Sequence, residues 1–176
     1  MFVAGQARAG VSFAWAQARL ARLTHDGGLL GASQGAYGTG PAFFVPADPP
    51  GDEPAAAGLA GAHFGDLRAD RDSARMALRW EAIAPGGELF PALDADLTLS
   101  PAGDQATTLM LAGVYRLPPG SQGNGLDHAV MRHLATTTIQ AFLDRIAAAL
   151  TVAAPVPEWN GGTTDRGGSP PAAQAP

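Results

Sequence analysis

The chain contains no cysteine and no lysine. Without cysteine there is no disulfide framework, thiol nucleophile or thiolate metal site, and folding needs no oxidising compartment. The 11 basic residues are all arginine, gather on no single segment, and are outweighed to a formal net charge of -5. Such a chain repels a phosphate backbone, which argues against nucleic acid as a partner. No apolar run approaches the ~18 residues that span a bilayer. The small residues Ala14, Ala16 and Ala18 imitate a leader cleavage site, but Gln6 and Arg8 interrupt the apolar stretch before them and no basic region precedes it. A cytoplasmic location is therefore expected.

What is present is a length of 176 residues and a hydrophobic fraction of 46%, much of it alanine. A domain of this size buries about 70% of the surface its unfolded chain exposes. Large apolar side chains must then be concentrated to form a core. The composition predicts one domain over residues 1–152, followed by a disordered Pro/Gly-rich tail over 153–176.

The apolar pattern predicts an α+β order. Residues from Val3 to Val11 alternate as a strand, and Ser12 is placed to cap a helix running to His25, with Phe13, Ala16, Leu20 and Leu23 on one face. Asp26-Gly27-Gly28 ends it. The glycine-rich segment from Leu29 to Val45 reads as one or two irregular strands, and Pro46 to Gly58 as an exposed loop. Leu59 to Arg71 reads as a strand pair. From Ala74 the alternation sharpens, with Met76, Leu78 and Trp80 against Arg75, Arg79 and Glu81. Phe90 to Leu99 and Thr107 to Leu117 form a hairpin about Pro101-Ala102-Gly103-Asp104. A long helix follows from an Asn124 cap to Val152. Its stripe is Leu126, Val130, Met131, Leu134, Thr138, Phe142, Ile146, Ala149 and Leu150, and Arg132, His133, Thr136, Gln140 and Asp144 face away.

Candidates for chemistry are few, and no catalytic residue set is assigned. Asp94 and Asp96 share a strand face, but the leucines at the alternate positions must be buried, so both carboxylates should point outward into a charge ladder with Arg79, Glu81 and Arg116. His128 and His133 stand about 140° apart on a helix and cannot share a metal there, and His25 and His63 lie in other elements. Neither a metal nor a cofactor is expected. The glycine groups lack the fingerprint and the lysine of a phosphate loop, and Gly120 to Gly123 reads as a flap. No Gly-x-Ser-x-Gly elbow is present.

Three stretches carry a family texture over about 70 residues: LRWEAIAPGGELFPALDADLTLSPAG from Leu78, TTLMLAGVYRLPPG from Thr107, and LDHAVMRHLATTTIQAFLDRIAAAL from Leu126. They resemble the C-terminal half of the SRPBCC superfamily, the START-like and polyketide cyclase-related proteins of actinobacterial type. The N-terminal half matches in element order. The resemblance implies a helix-grip fold, a curved antiparallel sheet wrapped around a long C-terminal helix with a hydrophobic cavity between them.

On that fold the inward residues are Met76, Leu78 and Trp80 on one strand, Leu93, Ala95 and Leu97 on the next, and Leu109, Leu111 and Tyr115 on the last. The helix adds Leu134, Thr138 and Phe142. This lining is almost wholly apolar, with the Trp80 N–H and Tyr115 O–H as its polar handles. Carriage of a hydrophobic small molecule or lipid is the leading expectation, weighed against plain core filling. The alternatives are a polyketide cyclase-like enzyme using Tyr115, Arg116 or His128, and an interaction module using the sheet edge or the tail around Trp159.

Overall fold

A computed structural model describes residues 1–39, 59–83, 89–116 and 128–152. The element order is β1 (Phe2–Ala9), α1 (Phe13–His25), α2 (Gly28–Thr39), β2 (Leu59–Phe64), β3 (Arg68–Ala69), β4 (Ala74–Ile83), β5 (Leu89–Pro101), β6 (Thr107–Tyr115) and α3 (His128–Thr151). These strands form one antiparallel sheet in the order β1-β6-β5-β4-β2, with β3 also on β4.

Alternation in β4 and β5 sets the two faces. Met76, Leu78, Trp80, Leu93, Leu97 and Leu99 are buried, whereas Arg79 and Asp96 are exposed. The register lines the inner residues into rows across the strands: Trp80–Leu93–Tyr115, Leu78–Ala95–Gly113–Val3 and Met76–Leu97–Leu111–Gly5. The second row is low because two of its members are small. Gly113 is required there, since a Cβ would run into the Asp94 carbonyl oxygen and Ala95 of β5.

Helix α1 begins where Ser12 accepts a hydrogen bond from the Trp15 N–H at 3.4 Å. It buries Ala16 and Leu20 and ends at Asp26, after which Gly27 takes φ 74° and redirects the chain into α2. Two of its side chains also cap α3. Trp15 Nε1 donates to the Leu150 carbonyl at 2.9 Å and Arg19 Nε to the Ala149 carbonyl at 3.3 Å, satisfying acceptors that a helix C-terminus leaves open.

Two expectations are corrected. Residues from Leu29 to Thr39, read as irregular strands, belong to α2. Leu29, Ser33 and Ala36 recur at helical spacing and are buried, but Gly28, Gly31, Gly35 and Gly38 dilute the pattern. Each interior glycine costs about 0.5–1 kcal/mol relative to alanine, so docking rather than propensity holds this helix. The segment from Leu59 to Arg71 does contain two strands, but they do not pair with each other. β4 is long enough to serve both in succession: β2 lies against Leu78 to Ala82, β3 against Ala74 and Arg75, and the Gly65 N–H bonds the Ala77 carbonyl between them.

Helix α3 buries Ala135, Thr138, Ile139, Phe142, Leu143, Ile146, Ala147 and Leu150, and exposes Arg132, His133, Thr136 and Asp144. The buried stripe is broader than its spacing suggested, and Leu134 and Ala149 lie half-buried at its margins. Ile139 and Leu143 cover Gly5 of β1, and Gln140 Nε2 donates to the Gln6 carbonyl at 3.1 Å on the sheet's open edge. An antiparallel sheet closed by a long C-terminal helix is the helix-grip arrangement, in the α+β class. Among the described residues no helix is long and apolar enough to cross a membrane. The Pro46–Gly58 loop, the flap at 120–123, the Asn124 cap and the 153–176 tail lie outside the described residues.

Candidate ligand site between the sheet and helices α2 and α3

The sequence-derived lining converges on the inner face. Met76, Leu78, Trp80, Leu93, Leu97, Leu109, Leu111, Tyr115 and Phe142 are all buried in one core cluster, against which Leu134 packs half-buried, and Thr138 is buried as well. Trp80 stands at its centre. Its ring meets Phe142 of α3 edge-on, with centroids 5.2 Å apart at 81°, and meets Tyr37 of α2 edge-on at 5.7 Å and 79°. Such T-shaped pairs set a positive ring edge against a negative ring face and contribute about 0.5–1.5 kcal/mol beyond area burial.

Both polar handles are bonded to α2. Trp80 Nε1, a donor with no acceptor capacity, donates to Ser33 Oγ at 3.1 Å, and the Ser33 hydroxyl in turn donates a hydrogen bond to the Leu29 carbonyl at 2.9 Å. The hydroxyls of Tyr37 and Tyr115 lie 3.0 Å apart, and either can donate. Tyr115 is fixed through its backbone, because its N–H bonds the Met1 carbonyl at 2.8 Å and its carbonyl accepts from the Met1 amine at 2.9 Å. Thr138 turns its hydroxyl onto the Leu134 carbonyl of its own helix. Among the described residues every buried side-chain nitrogen and oxygen has a partner.

The electrostatics keep this interior neutral. Burial pushes the Tyr37 phenol above its ordinary value, partly opposed by the bond to Tyr115. Burial raises Tyr115 further, and the neighbouring Tyr37 adds to the rise. Both phenols therefore remain protonated at neutral pH and act as hydrogen-bond donors or acceptors rather than as bases.

Ser33 and Tyr37 were not among the sequence candidates, because they fall in the segment read as strands. A signal was present: residues 29, 33, 36 and 37 share one helical face on which both of the polar side chains sit. Tyr37 and Tyr115 are also the two tyrosines of the whole sequence, and the fold brings them together.

The other candidates separate from this site. Arg116 follows Tyr115 in the chain but lies on the outer face, where its Nη2 pairs with Asp94 at 3.1 Å. Arg79 pairs with Glu81 at 3.4 Å and lies 3.9 Å from Asp94, forming the outward ladder that strand alternation predicts. His63 joins through Glu81 at 3.4 Å. These exposed pairs contribute little to stability. The same face carries an open hollow of about 580 Å3 floored by Ala77 and Ala112 and bordered by Arg79, Asp94 and Asp96. Of the candidate lining residues, Leu78 and Ala95 border it. The His128 side chain lies outside the described residues.

No family model and no curated protein matches the chain. Solved structures similar to it include a conserved protein from Geobacillus kaustophilus, at 12% identity and a TM-score of 0.49, with 85% of this chain and 95% of that one covered. The Zhui aromatase/cyclase from Streptomyces sp. R1128 is similar at 11% identity and a TM-score of 0.38, with 85% and 93% covered. A START superfamily protein from Mycobacterium smegmatis is similar at 12% identity and a TM-score of 0.36, with 85% and 96% covered.

Proposed function

We propose that the chain is a START-like binding protein that holds a hydrophobic small molecule against the inner face of the sheet, beneath α2 and α3. Met76, Leu78, Leu93, Leu97, Leu109, Leu111, Leu134, Thr138 and Phe142 form the apolar wall in this reading. Trp80 Nε1 and the Tyr115 hydroxyl are its polar anchors. One observation carries it: both anchors are engaged by α2, and α2 is the glycine-rich helix. An element of low intrinsic helicity opens more readily than the sheet beneath it, and a ligand that lifts it inherits two directed hydrogen-bonding groups in an apolar wall.

Native mass spectrometry of the purified protein, together with a thermal-shift screen of fatty acids, aromatic polyketides and sterols, tests the reading. A ligand at 100 times its dissociation constant adds about 2.7 kcal/mol of stability. A bound apolar mass or a clear upward shift supports carriage, and a protein that gains neither contradicts it.

A cyclase-type enzyme is the second reading, favoured by the protonated phenol pair, which can donate a hydrogen bond to a bound carbonyl and polarise it. Loss of polyketide turnover in Tyr115→Phe supports it. Unchanged turnover removes Tyr115 from the mechanism.

A further inference from the structure

Resting on the binding reading above, we infer that the molecule taken up beneath α2 is an uncharged ring compound bearing a hydroxyl or carbonyl oxygen, a mimic of the Tyr37 side chain, and that carboxylates are rejected. Tyr37 defines the shape. Its ring stands edge-on to Trp80 and its oxygen reaches the Tyr115 hydroxyl, so whatever replaces it meets an aromatic surface at one side and a hydrogen-bonding phenol beyond it. A flat ring with one oxygen restores both contacts. A simple hydrocarbon restores the first and leaves the hydroxyl of Tyr115 without the bond that Tyr37 makes.

The charge follows from what the interior lacks. Among the described side chains the buried polar ones are Ser33, Thr107 and Thr138, all neutral. Arg19 is engaged with the Ala149 carbonyl, Arg79 and Arg116 pair with carboxylates on the outer face, and Arg145 rests exposed against Gly35. Among the described residues no cationic side chain is buried beneath α2, so a carboxylate carried there would lose its water without a buried cation to pair with, a penalty of several kcal/mol that neutral donors recover only in part. The interior already disfavours anions, since burial holds both phenols in their protonated form. A ketone or phenol carries no such penalty and accepts from Tyr115.

The test compares isosteres on the full chain by calorimetry and thermal shift at about pH 8, where a carboxylic acid is ionised. Acetonaphthone is expected to bind at least about tenfold tighter than naphthoate, a difference of about 1.4 kcal/mol. Naphthoate binding as tightly as acetonaphthone would overturn the inference while leaving the binding reading intact. Binding of neither, alongside an empty screen of other apolar compounds, would remove both. A second variant supplies an independent arm: Tyr37→Ala is expected to be stabilised by p-cresol more than by toluene, and not by p-toluate. Equal rescue by p-cresol and p-toluate overturns the inference. Should that variant not fold, the naphthalene pair on the natural chain decides alone.

Discussion

Helices α2 and α3 cover the same sheet and both contact Trp80, yet they are held there by different means. α3 places a broad apolar stripe of leucine, isoleucine and phenylalanine over β1 and is capped at its C-terminal end by α1. α2 has four glycines in 12 residues and contributes Leu29, Ser33, Ala36 and a half-buried Tyr37. One helix is built to stay. The other presents a narrower stripe, in which Leu29, Ala36 and Tyr37 pack against the core, and is joined to the sheet by two hydrogen bonds and one ring contact. Local opening free energies in a protein range from near zero to the global stability, and elements that move are drawn from the low end.

Truncating the anchor of each helix should have the largest effects and expose this difference. Phe142→Ala removes a fully buried ring that touches Trp80 and should cost about 3–5 kcal/mol of global stability in urea unfolding. Leu29→Ala is also a buried truncation, but its loss is capped by the free energy at which α2 opens alone. It should therefore cost less than Phe142→Ala. Equal losses would mean that both helices belong to one cooperative unit.

Gly113→Ala probes the floor on which both helices rest. Its Cβ would meet the β5 backbone, so the strands must shift, at a cost of about 1–3 kcal/mol. The effect should appear in unfolding midpoints without selecting either helix.

Alkaline pH offers a smaller and more selective probe, because both tyrosines of the chain lie at the α2 contact. A phenol whose folded-state pKa exceeds its ordinary value near 10 stabilises the fold fully below that value, and the contribution is lost as pH rises beyond it. Absorbance at the phenolate band should therefore stay flat through the pH at which free tyrosine titrates and then rise together with loss of structure. Tyr115→Phe should cost about 1 kcal/mol at neutral pH and weaken the alkaline loss. Reversible phenolate formation in a folded protein near the ordinary value would show that the pair is open to water.

Gly31→Ala should give the smallest effect. Position 31 is exposed and a Cβ there meets nothing within 4 Å, so the substitution should stabilise α2 by about 0.5–1 kcal/mol. By strengthening the cover it should also weaken uptake of any ligand that must lift it.

The same contrast governs how much was legible in the sequence. β4 and β5 announce themselves, because Met76, Leu78 and Trp80 alternate with charges and Leu93, Leu97 and Leu99 alternate with Asp94, Asp96 and Thr98. Their inner face, with Trp80 on it, follows from that period, whereas Tyr115 on β6 is placed inward through the fold that the resemblance implies. α3 is readable for the same reason, although Ala135 and Ala147 widen its buried stripe beyond what large side chains reveal. α2 is not readable, since its glycines break the apolar period and tertiary docking overrides weak propensity. With it went Ser33 and Tyr37, the partners that explain why the handles on the sheet are already engaged. The pairing of β2 and β3 with β4 rather than with each other is a matter of register, which short segments specify weakly.

Native-state hydrogen exchange resolved along the chain tests the central claim most directly. The amides of α2 should exchange through an opening several kcal/mol less costly than that of α3 or β5, and should become better protected when a neutral ring compound binds. Protection of α2 equal to that of α3, unchanged by any apolar compound, would contradict a displaceable cover over a ligand site.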